Sequence, residues 1–127
     1  NYIMIDDSKG TFKLEGNIGI KSISKKVYTL LKKSLEKFVN EKITIKLPND
    51  LLIKGYKVCG ILQETVNYNN KKYFIIGIGI NLIKSPKIVN KQVSFLQKYN
   101  NNKIKKTDIY KKIKKNFEKL IWIKICT

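Results

Sequence analysis

One short stretch, KLPNDLLIKGYKVCGILQE at residues 46–64, brings together residue types that could bind an anion. Lys57 lies in an apolar run, where an ammonium group is costly unless it reaches solvent or meets an anion. Gly60 follows it, and a residue without a side chain would let a planar ligand lie against the backbone. Asn49 and Asp50 offer polar groups beside a predicted turn. Because the chain contains 27 lysines, a lysine at the start of the strand that extends into solvent explains Lys57 equally well.

A second glycine-containing stretch, YFIIGIGINLI at residues 73–83, adds to this pattern. Its continuous apolar character predicts a strand that is covered on both faces. Gly77 and Gly79 are two residues apart, so both leave the same face of that strand bare. A ligand or another segment of the chain can therefore approach the backbone closely there.

The strand that carries Lys57 is expected to be central, because both of its faces are apolar. Strict alternation of side chains decides which residues share a face. It groups Lys57 with Cys59, Ile61 and Gln63 on one face, and Val58, Gly60 and Leu62 on the other.

The elements around these strands predict an α+β fold with a mainly antiparallel mixed sheet flanked by helices. Apolar residues spaced three and four apart predict helices over 23–39 and 107–121, the second capped by Thr107. Between these helices the sequence predicts a short strand over 43–46 and a hairpin over 51–66 that turns at Lys54-Gly55. The remaining segments are predicted as short strands and turns over 2–20 (with turns at Gly10, Gly16 and Gly19), a polar turn over 67–72, and a loop over 84–106 with one short helix around 93–97.

The amino-acid composition argues against several classes of function. The net charge is +18 and comes from lysine alone, since the chain has no arginine. Such a charge attracts polyanions in a salt-dependent way, but a nucleic-acid-binding module would be expected to use arginine, so that hypothesis ranks last. With no histidine, a Ser-His or zinc mechanism within this chain is not expected. Cys59 and Cys126 have apolar neighbours, which favours buried reduced thiols.

The sequence predicts a cytoplasmic protein that does not associate with membranes. No run of 18 apolar residues is present, and the acidic start NYIMIDDSKG does not resemble a signal peptide. A length of 127 residues fits a single domain. The chain begins without an initiator methionine, and whether this single domain, residues 1–127, is part of a longer protein stays open.

Three motifs in order resemble one family. KLPND, KVCGILQE and IIGIGINL are similar to K-W-P-N-D, K-(V/L)-(A/C)-G-I-L-x-E and (I/V)-G-(I/A)-G-I-N of the catalytic domain of biotin protein ligases, at similar spacing. The resemblance covers about residues 42–84 well and extends plausibly to both predicted helices. It implies the C-terminal portion of that domain, with the fold of biotin and lipoate protein ligases.

The resemblance implies a two-step reaction. ATP and biotin, with Mg²⁺ accompanying the ATP, form biotinyl-5'-AMP, and the biotinyl group then passes to a lysine of a biotin carboxyl carrier protein such as that of acetyl-CoA carboxylase. It assigns Lys57 to the biotin carboxylate and the α-phosphate as the catalytic residue. It places Asn49, Asp50 and Gly60 beside the adenylate, and Asn81 near the nucleotide. No specific nucleic-acid partner is implied, and a homodimer stays open.

The sequence also departs from the family pattern. Leu47 replaces the usual tryptophan, and residues 1–22 contain nothing like the G-R-G-R-x-G-R loop that orders the adenylate. We expect neither the N-terminal DNA-binding domain nor the small C-terminal barrel domain of some members. An alternative hypothesis is therefore a ligase-like fragment or binding module that is catalytically incomplete.

Overall fold

The computed structural model describes residues 2–6, 17–118 and 123–126, with side chains described over 24–70 and 73–117. Within these residues, six strands form one sheet and two helices flank it, which confirms the α+β class. The elements are β1 (Tyr2–Asp6), α1 (Asn17–Glu36), β2 (Ile43–Lys46), β3 (Asp50–Ile53), β4 (Tyr56–Tyr68), β5 (Lys71–Ile80), a short 3₁₀ helix (Leu96–Tyr99), α2 (Lys106–Glu118) and β6 (Ile123–Cys126).

The strand order is β2-β3-β4-β5-β1-β6, and every neighbouring pair is antiparallel. Strand β4 therefore has a partner on each side, as its two apolar faces predict. The parallel component is small: Lys57 and Val93 form an isolated parallel bridge. The sheet is thus the mainly antiparallel arrangement expected from short connections between strands.

Both hairpins turn where the sequence predicts. Lys54 and Gly55 connect β3 to β4 with φ angles of 52° and 82°, and Asn69 and Asn70 connect β4 to β5 with φ angles of 50° and 61°. Two successive positive φ values characterise the two-residue turns whose twist matches that of paired strands. Asn and Gly are the residues that tolerate this conformation best.

Several predicted boundaries are wrong. Helix α1 begins at Asn17 and ends at Glu36, so Gly19 is helical, whereas the sequence predicts a turn there. The apolar stripe used to find the helix starts only after its first turns. Helix α2 begins at Lys106, which makes Thr107 its second residue, and the amide of Ile109 donates to the carbonyl of Lys105. Gly10 and Gly16 lie outside the described residues, as does the end of the helix predicted over 107–121.

Strand β5 ends at Ile80, before the predicted end at residue 83. The Asn81 amide still donates to the carbonyl of Val58 on β4, 2.9 Å away, but the Asn81 carbonyl accepts from Leu96, and the chain leaves β4 after this residue. The short helix predicted around 93–97 overlaps the 3₁₀ helix Leu96–Tyr99 only at residues 96 and 97.

One face of the sheet carries the hydrophobic core. Helix α1 contributes Val27, Leu31 and Leu35, each fully buried, and α2 contributes the fully buried Phe117. The strands supply alternate residues to the same layer: Leu51, Ile53, Cys59, Ile61, Phe74, Ile76 and Ile78.

The opposite face is open. Leu62 is 58% exposed there, and Gly79 of β5 is exposed as well. The expectation that the stretch 73–83 is covered on both faces is therefore wrong. Within the described residues the helices pack on the other side, so the bare glycine face is left accessible.

We expect Phe117→Ala to lower the free energy of unfolding by about 3–5 kcal/mol, because it removes a ring that α2 buries fully in the hydrophobic core. Val89→Ala is the control, since Val89 is 86% exposed and should change stability by less than about 0.5 kcal/mol. Urea unfolding of both variants checks this. Equal midpoints would contradict the packing described for α2.

Candidate functional site

A β-bulge at Val58 determines which side chains share the open face. Leu51 pairs with Cys59, but its neighbour Leu52 pairs with Lys57, so Val58 is an extra residue on β4. Val58 and Cys59 are consequently both buried, at 0% and 1% exposure. A bulge of this kind resets the alternation of the strand.

The bulge overturns one sequence-based prediction. Strict alternation groups Lys57 with Cys59, Ile61 and Gln63, but the register places Lys57 opposite Leu52 and Gly60 opposite Asp50. Residues directly opposite in an antiparallel pair lie on the same face. Lys57, Asp50 and Gly60 therefore share the open face, while Cys59 and Ile61 share the buried face, which confirms that these two residues lie on the same side of the strand. Alternation failed because it assumes a strand without an extra residue.

The backbone at the bulge bonds to residues that follow β5. The Lys57 amide donates to the carbonyl of Gln92, at 3.0 Å, and the Lys57 carbonyl accepts from the amide of Ser94, at 2.8 Å. The Val58 carbonyl accepts from Asn81. The bulge thus replaces ladder bonds with bonds to the segment that follows β5, and it brings that segment beside Lys57.

The Lys57 side chain lies over Gly60 and ends at a carboxylate. Its Nζ is 3.0 Å from Oδ1 of Asp50, and its Cε and Nζ would both be 3.3 Å from a Cβ placed on Gly60. That distance is tight, so Gly60 leaves the room in which the lysine lies. Lys57 is therefore neither buried without an anion nor simply extended into solvent: Asp50 is its counter-ion.

The floor beside Lys57 is bare backbone. Gly60 pairs directly with Gly79 across β4 and β5, and the next open-face position pairs Leu62 with Gly77. A Cβ on Gly79 would come no closer than 4.0 Å to the Gly60 carbonyl oxygen. Three of these four positions carry no side chain of their own, so a flat group could lie on the backbone at Gly77 and Gly79, beside the end of Lys57 that lies over Gly60.

A cleft of about 840 Å³ opens above this floor and includes Lys57, Asp50, Gly60 and Asn81 in its lining. An adjoining cavity of about 430 Å³ includes Asn49 together with Lys57 and Gly60. All five residues singled out from the sequence thus line one connected region. Their individual roles towards a ligand stay predictions.

Sequence reasoning missed part of the lining. The larger cleft also includes Lys46 and Lys91, together with Pro86, Ile88 and Gln92 from the segment after β5. That segment contains no motif, and its sequence predicts only a loop with one short helix. The signal that could have found it is structural, since its position depends on the backbone bonds at Lys57.

The two asparagines have structural partners. With its amide nitrogen turned towards them, Asn49 donates to the carbonyls of Pro48 and Ile61, at 3.0 and 3.2 Å, and its own carbonyl accepts from the Ile61 amide at 2.7 Å. Asn81 donates through Nδ2 to the Ser94 carbonyl, at 3.1 Å. Each asparagine therefore fixes one segment of the cleft wall against β4, whatever it does towards a ligand.

Beneath the floor, on the core side, Cys59 is a free buried thiol, as the sequence predicts for this cysteine; the side chain of Cys126 lies outside the described residues. Burial raises the pKa of the Cys59 thiol to about 12, an effect that the Lys57 ammonium opposes and the Asp50 carboxylate reinforces. The thiol is therefore protonated at neutral pH and is not a nucleophile there.

Metal-binding and membrane-spanning features are both absent from the described part of the chain. No group of three His, Cys, Asp or Glu side chains in it is arranged to hold a metal ion. None of its helices combines the length and apolar character needed to cross a membrane.

The chain matches known proteins in both sequence and fold. The model of the biotin/lipoate A/B protein ligase family matches residues 1–81. The fold is similar to biotin protein ligase from Leishmania major in complex with biotin, with a TM-score of 0.71 and 12% identity over 94% of this chain and 52% of that one. It is also similar to biotin protein ligase from Aquifex aeolicus in complex with biotin and ATP, with a TM-score of 0.55 and 24% identity over 75% of this chain and 42% of that one.

A third similar structure binds a different acid. It is P. falciparum LipL1 in complex with lipoate, with a TM-score of 0.53 and 19% identity over 76% of this chain and 30% of that one. This chain spans about half, or less, of the length of each of the three structures. At these identities the structural similarity establishes the fold.

We expect the raised thiol pKa to appear as a pH-dependent loss of stability. Above the ordinary thiol pKa of 9.0 and up to about 12, the unfolded chain releases the Cys59 proton and the folded chain keeps it. Stability therefore falls as pH rises, by at most about 1.4 kcal/mol per pH unit. Cys59→Ala removes this contribution. The stability difference between the parent and this variant should be constant from about pH 7 to about pH 8.5 and shrink above about pH 9; a constant difference throughout would contradict the burial of the thiol.

Proposed function

Since this chain belongs to the biotin/lipoate A/B protein ligase family, we propose that it carries part of the active site of an ATP-dependent biotin–protein ligase. Such an enzyme forms biotinyl-5'-AMP from biotin and ATP. It then transfers the biotinyl group to a lysine of a biotin carboxyl carrier protein, such as that of acetyl-CoA carboxylase. We propose a cytoplasmic location for this reaction.

The observation that carries the proposal is the position of Lys57, which lies over a bare glycine floor and meets Asp50 at 3.0 Å. In the first step a carboxylate oxygen of biotin attacks the α-phosphorus of ATP, and the bond to the departing pyrophosphate breaks. Negative charge gathers on the phosphoryl oxygens during this step. An ammonium group fixed in place beforehand stabilises that charge without having to reorganise.

This role requires only that Lys57 stay protonated. The two reactants are held together, and no general base is needed for a carboxylate that is already ionised. The lack of histidine in the chain is therefore compatible with the reaction. Mg²⁺ would arrive as a complex with the ATP phosphates, which are good ligands for it.

The shape of the cleft suits an acyl-adenylate. The Gly60–Gly79 pair leaves a flat floor beside the ammonium, and the cleft of about 840 Å³ lies within the size range of pockets that enclose small ligands. Asn49, Asp50 and Asn81 are proposed to lie beside the adenylate. The net charge of +18 would favour the approach of nucleotides and of an acidic carrier domain.

A lipoate ligase is the second candidate, because the family model covers lipoate ligases and one similar structure contains lipoate. Both acids present a carboxylate at the end of a hydrocarbon chain, so an ammonium at Lys57 would serve either one. The choice between them is a question of which ring system the cleft accepts. Assays with the two acids side by side answer it.

We expect Lys57→Ala to lower acid-dependent ATP–pyrophosphate exchange by about 100- to 1,000-fold, the usual loss for one pre-placed charge-stabilising group. The assay uses the full-length protein with biotin, and in parallel with lipoate. Lys54→Ala is the matched control, since Lys54 is also paired with a carboxylate, Glu41, at 3.2 Å but lies outside the cleft lining.

The outcomes separate the hypotheses. Exchange that survives Lys57→Ala undiminished would mean that this lysine does not have the assigned role. Exchange with lipoate but not biotin would replace the proposed substrate. Absence of exchange by the unsubstituted protein, together with calorimetric binding of a non-hydrolysable biotinyl-adenylate mimic, would indicate a binding module.

We expect Gly60→Ala to weaken binding of that mimic by about tenfold while leaving the fold intact. The new methyl group meets only the flexible end of Lys57, which can move aside, and replacing a strand glycine stabilises by about 0.5–1 kcal/mol where the backbone conformation allows it. Calorimetry and thermal unfolding measure the two effects. Because both substitutions act through one lysine, Gly60→Ala should add little to Lys57→Ala; additive losses would show that Gly60 acts in another way.

A further inference from the structure

A chain of polar side chains links helix α1 to the turn that carries the site. The phenol of Tyr28 donates to the carbonyl of Pro48. Gln63 Nε2 donates to the Tyr28 phenol oxygen, at 2.5 Å, and the Ser24 hydroxyl donates to Gln63 Oε1, also at 2.5 Å. These contacts join α1, the central strand β4 and the turn between β2 and β3.

Donor and acceptor chemistry fixes the direction of these bonds. A carbonyl oxygen can only accept, so the Tyr28 phenol must donate its hydrogen to Pro48. The phenol oxygen can then accept from the amide nitrogen of Gln63, which leaves the Gln63 oxygen facing Ser24. Burial raises the pKa of the Tyr28 phenol, with the Gln63 hydrogen bond acting in the opposite direction. The phenol consequently remains a donor at neutral pH.

Tyr28 and Gln63 lie on the core side of the sheet, where polar side chains are uncommon. Tyr28 is 6% exposed, and Gln63 lies on the face of β4 that also carries the buried Cys59 and Ile61. A polar group on such a face is costly unless its hydrogen bonds are satisfied. Hydrophobic residues could fill the same space, so packing alone does not account for the choice of Gln63 and Tyr28.

The turn held by Tyr28 sets the position of Asp50. Pro48 is two residues before Asp50, which begins β3 and pairs with Gly60. From the other side, the carbonyl of Asn49 accepts from the Ile61 amide at 2.7 Å. The turn is thus attached to β4 at Ile61 and to α1 through Tyr28, and a shift of either attachment moves the Asp50 carboxylate relative to Lys57.

We infer that Tyr28 and Gln63 are positioning residues, which act from the core side of the sheet to hold the Pro48–Asp50 turn so that Asp50 keeps the Lys57 ammonium over Gly60. They lie on the opposite side of the sheet from the cleft and touch no substrate. Their effect on the adenylation step rests on the proposed function. Their effect on the turn does not.

Hydrogen exchange tests the attachment without any reference to activity. The Ile61 amide is the probe, since its acceptor is the Asn49 carbonyl of the turn. Tyr28→Phe keeps the ring and removes only the donor, and it should speed exchange at Ile61 by about tenfold, the loss expected for one hydrogen bond. Asn116→Ala is the control, since it removes a different bond to α1, to Ser34 Oγ at 2.7 Å, and should leave Ile61 unchanged relative to other β4 amides.

Kinetics tests the consequence for the reaction. In ATP–pyrophosphate exchange with full-length protein, Tyr28→Phe should lower kcat by about tenfold with KM for the acid and for ATP changed by less than about twofold, as expected for misplaced reacting groups. Gln63→Leu should act similarly, and the double variant should be no worse than Tyr28→Phe, because both substitutions break one connection.

Each outcome leads to a definite conclusion. If Tyr28→Phe lowers the unfolding midpoint but speeds exchange no more at Ile61 than at other β4 amides, the residues only stabilise the fold and the inference is overturned. Faster exchange at Ile61 with unchanged kcat would overturn the link to the reaction. If the unsubstituted protein shows no pyrophosphate exchange, the proposed function fails, while selective exchange at Ile61 would still support the positioning of the turn.

Discussion

The extra residue at Val58 is the feature on which the rest of the site depends. Without it, Lys57 would share a face with Cys59 and Ile61 and would point beneath α1, where an ammonium group is strongly disfavoured. With it, Lys57 and Cys59 lie on opposite faces although they are only two residues apart. The same bulge frees the Lys57 backbone to bond Gln92 and Ser94. The extra residue therefore determines the face on which the Lys57 side chain lies. It also attaches the segment after β5 that lines the cleft.

The sequence predicts the strands and turns of the central region well, because local chemistry determines them. Gly55 and the Asn69-Asn70 pair favour the positive φ angles that tight turns between paired strands require. The grouping of the candidate site residues was also predictable, from three ordered motifs. The bulge was not, because Val58 is an ordinary strand residue and the irregularity exists only in its pairing with β3. The start of α1 was missed for a related reason, since its first turns lack the apolar stripe that reveals the remainder.

The two faces of the sheet have different compositions because they meet different neighbours. The face under the helices needs side chains of large volume, and β5 supplies Phe74, Ile76 and Ile78 to it. The open face needs space, and the Gly60–Gly79 pair leaves it. Gln63, which pairs with the fully buried Ile76, is a polar residue on the core face, where an apolar residue would be expected. Its hydrogen bonds to Tyr28 and Ser24 connect the packing of α1 to the turn that ends at Asp50.

The ion pair between Lys57 and Asp50 is suited to being exchanged for a ligand. The two side chains are 41% and 28% exposed, and pairs so accessible to water contribute only about 0–1 kcal/mol. A carboxylate or phosphate can therefore take the place of Asp50 at little cost, whereas a fully buried pair would resist separation. Holding the Lys57 side chain in one conformation costs up to about 2 kcal/mol of conformational entropy. Asp50 nevertheless orders that side chain before a ligand binds. The pair is thus strong enough to place the ammonium before a ligand arrives and weak enough to release it. Both properties require the turn to hold Asp50 on the face of the sheet where the bulge places Lys57.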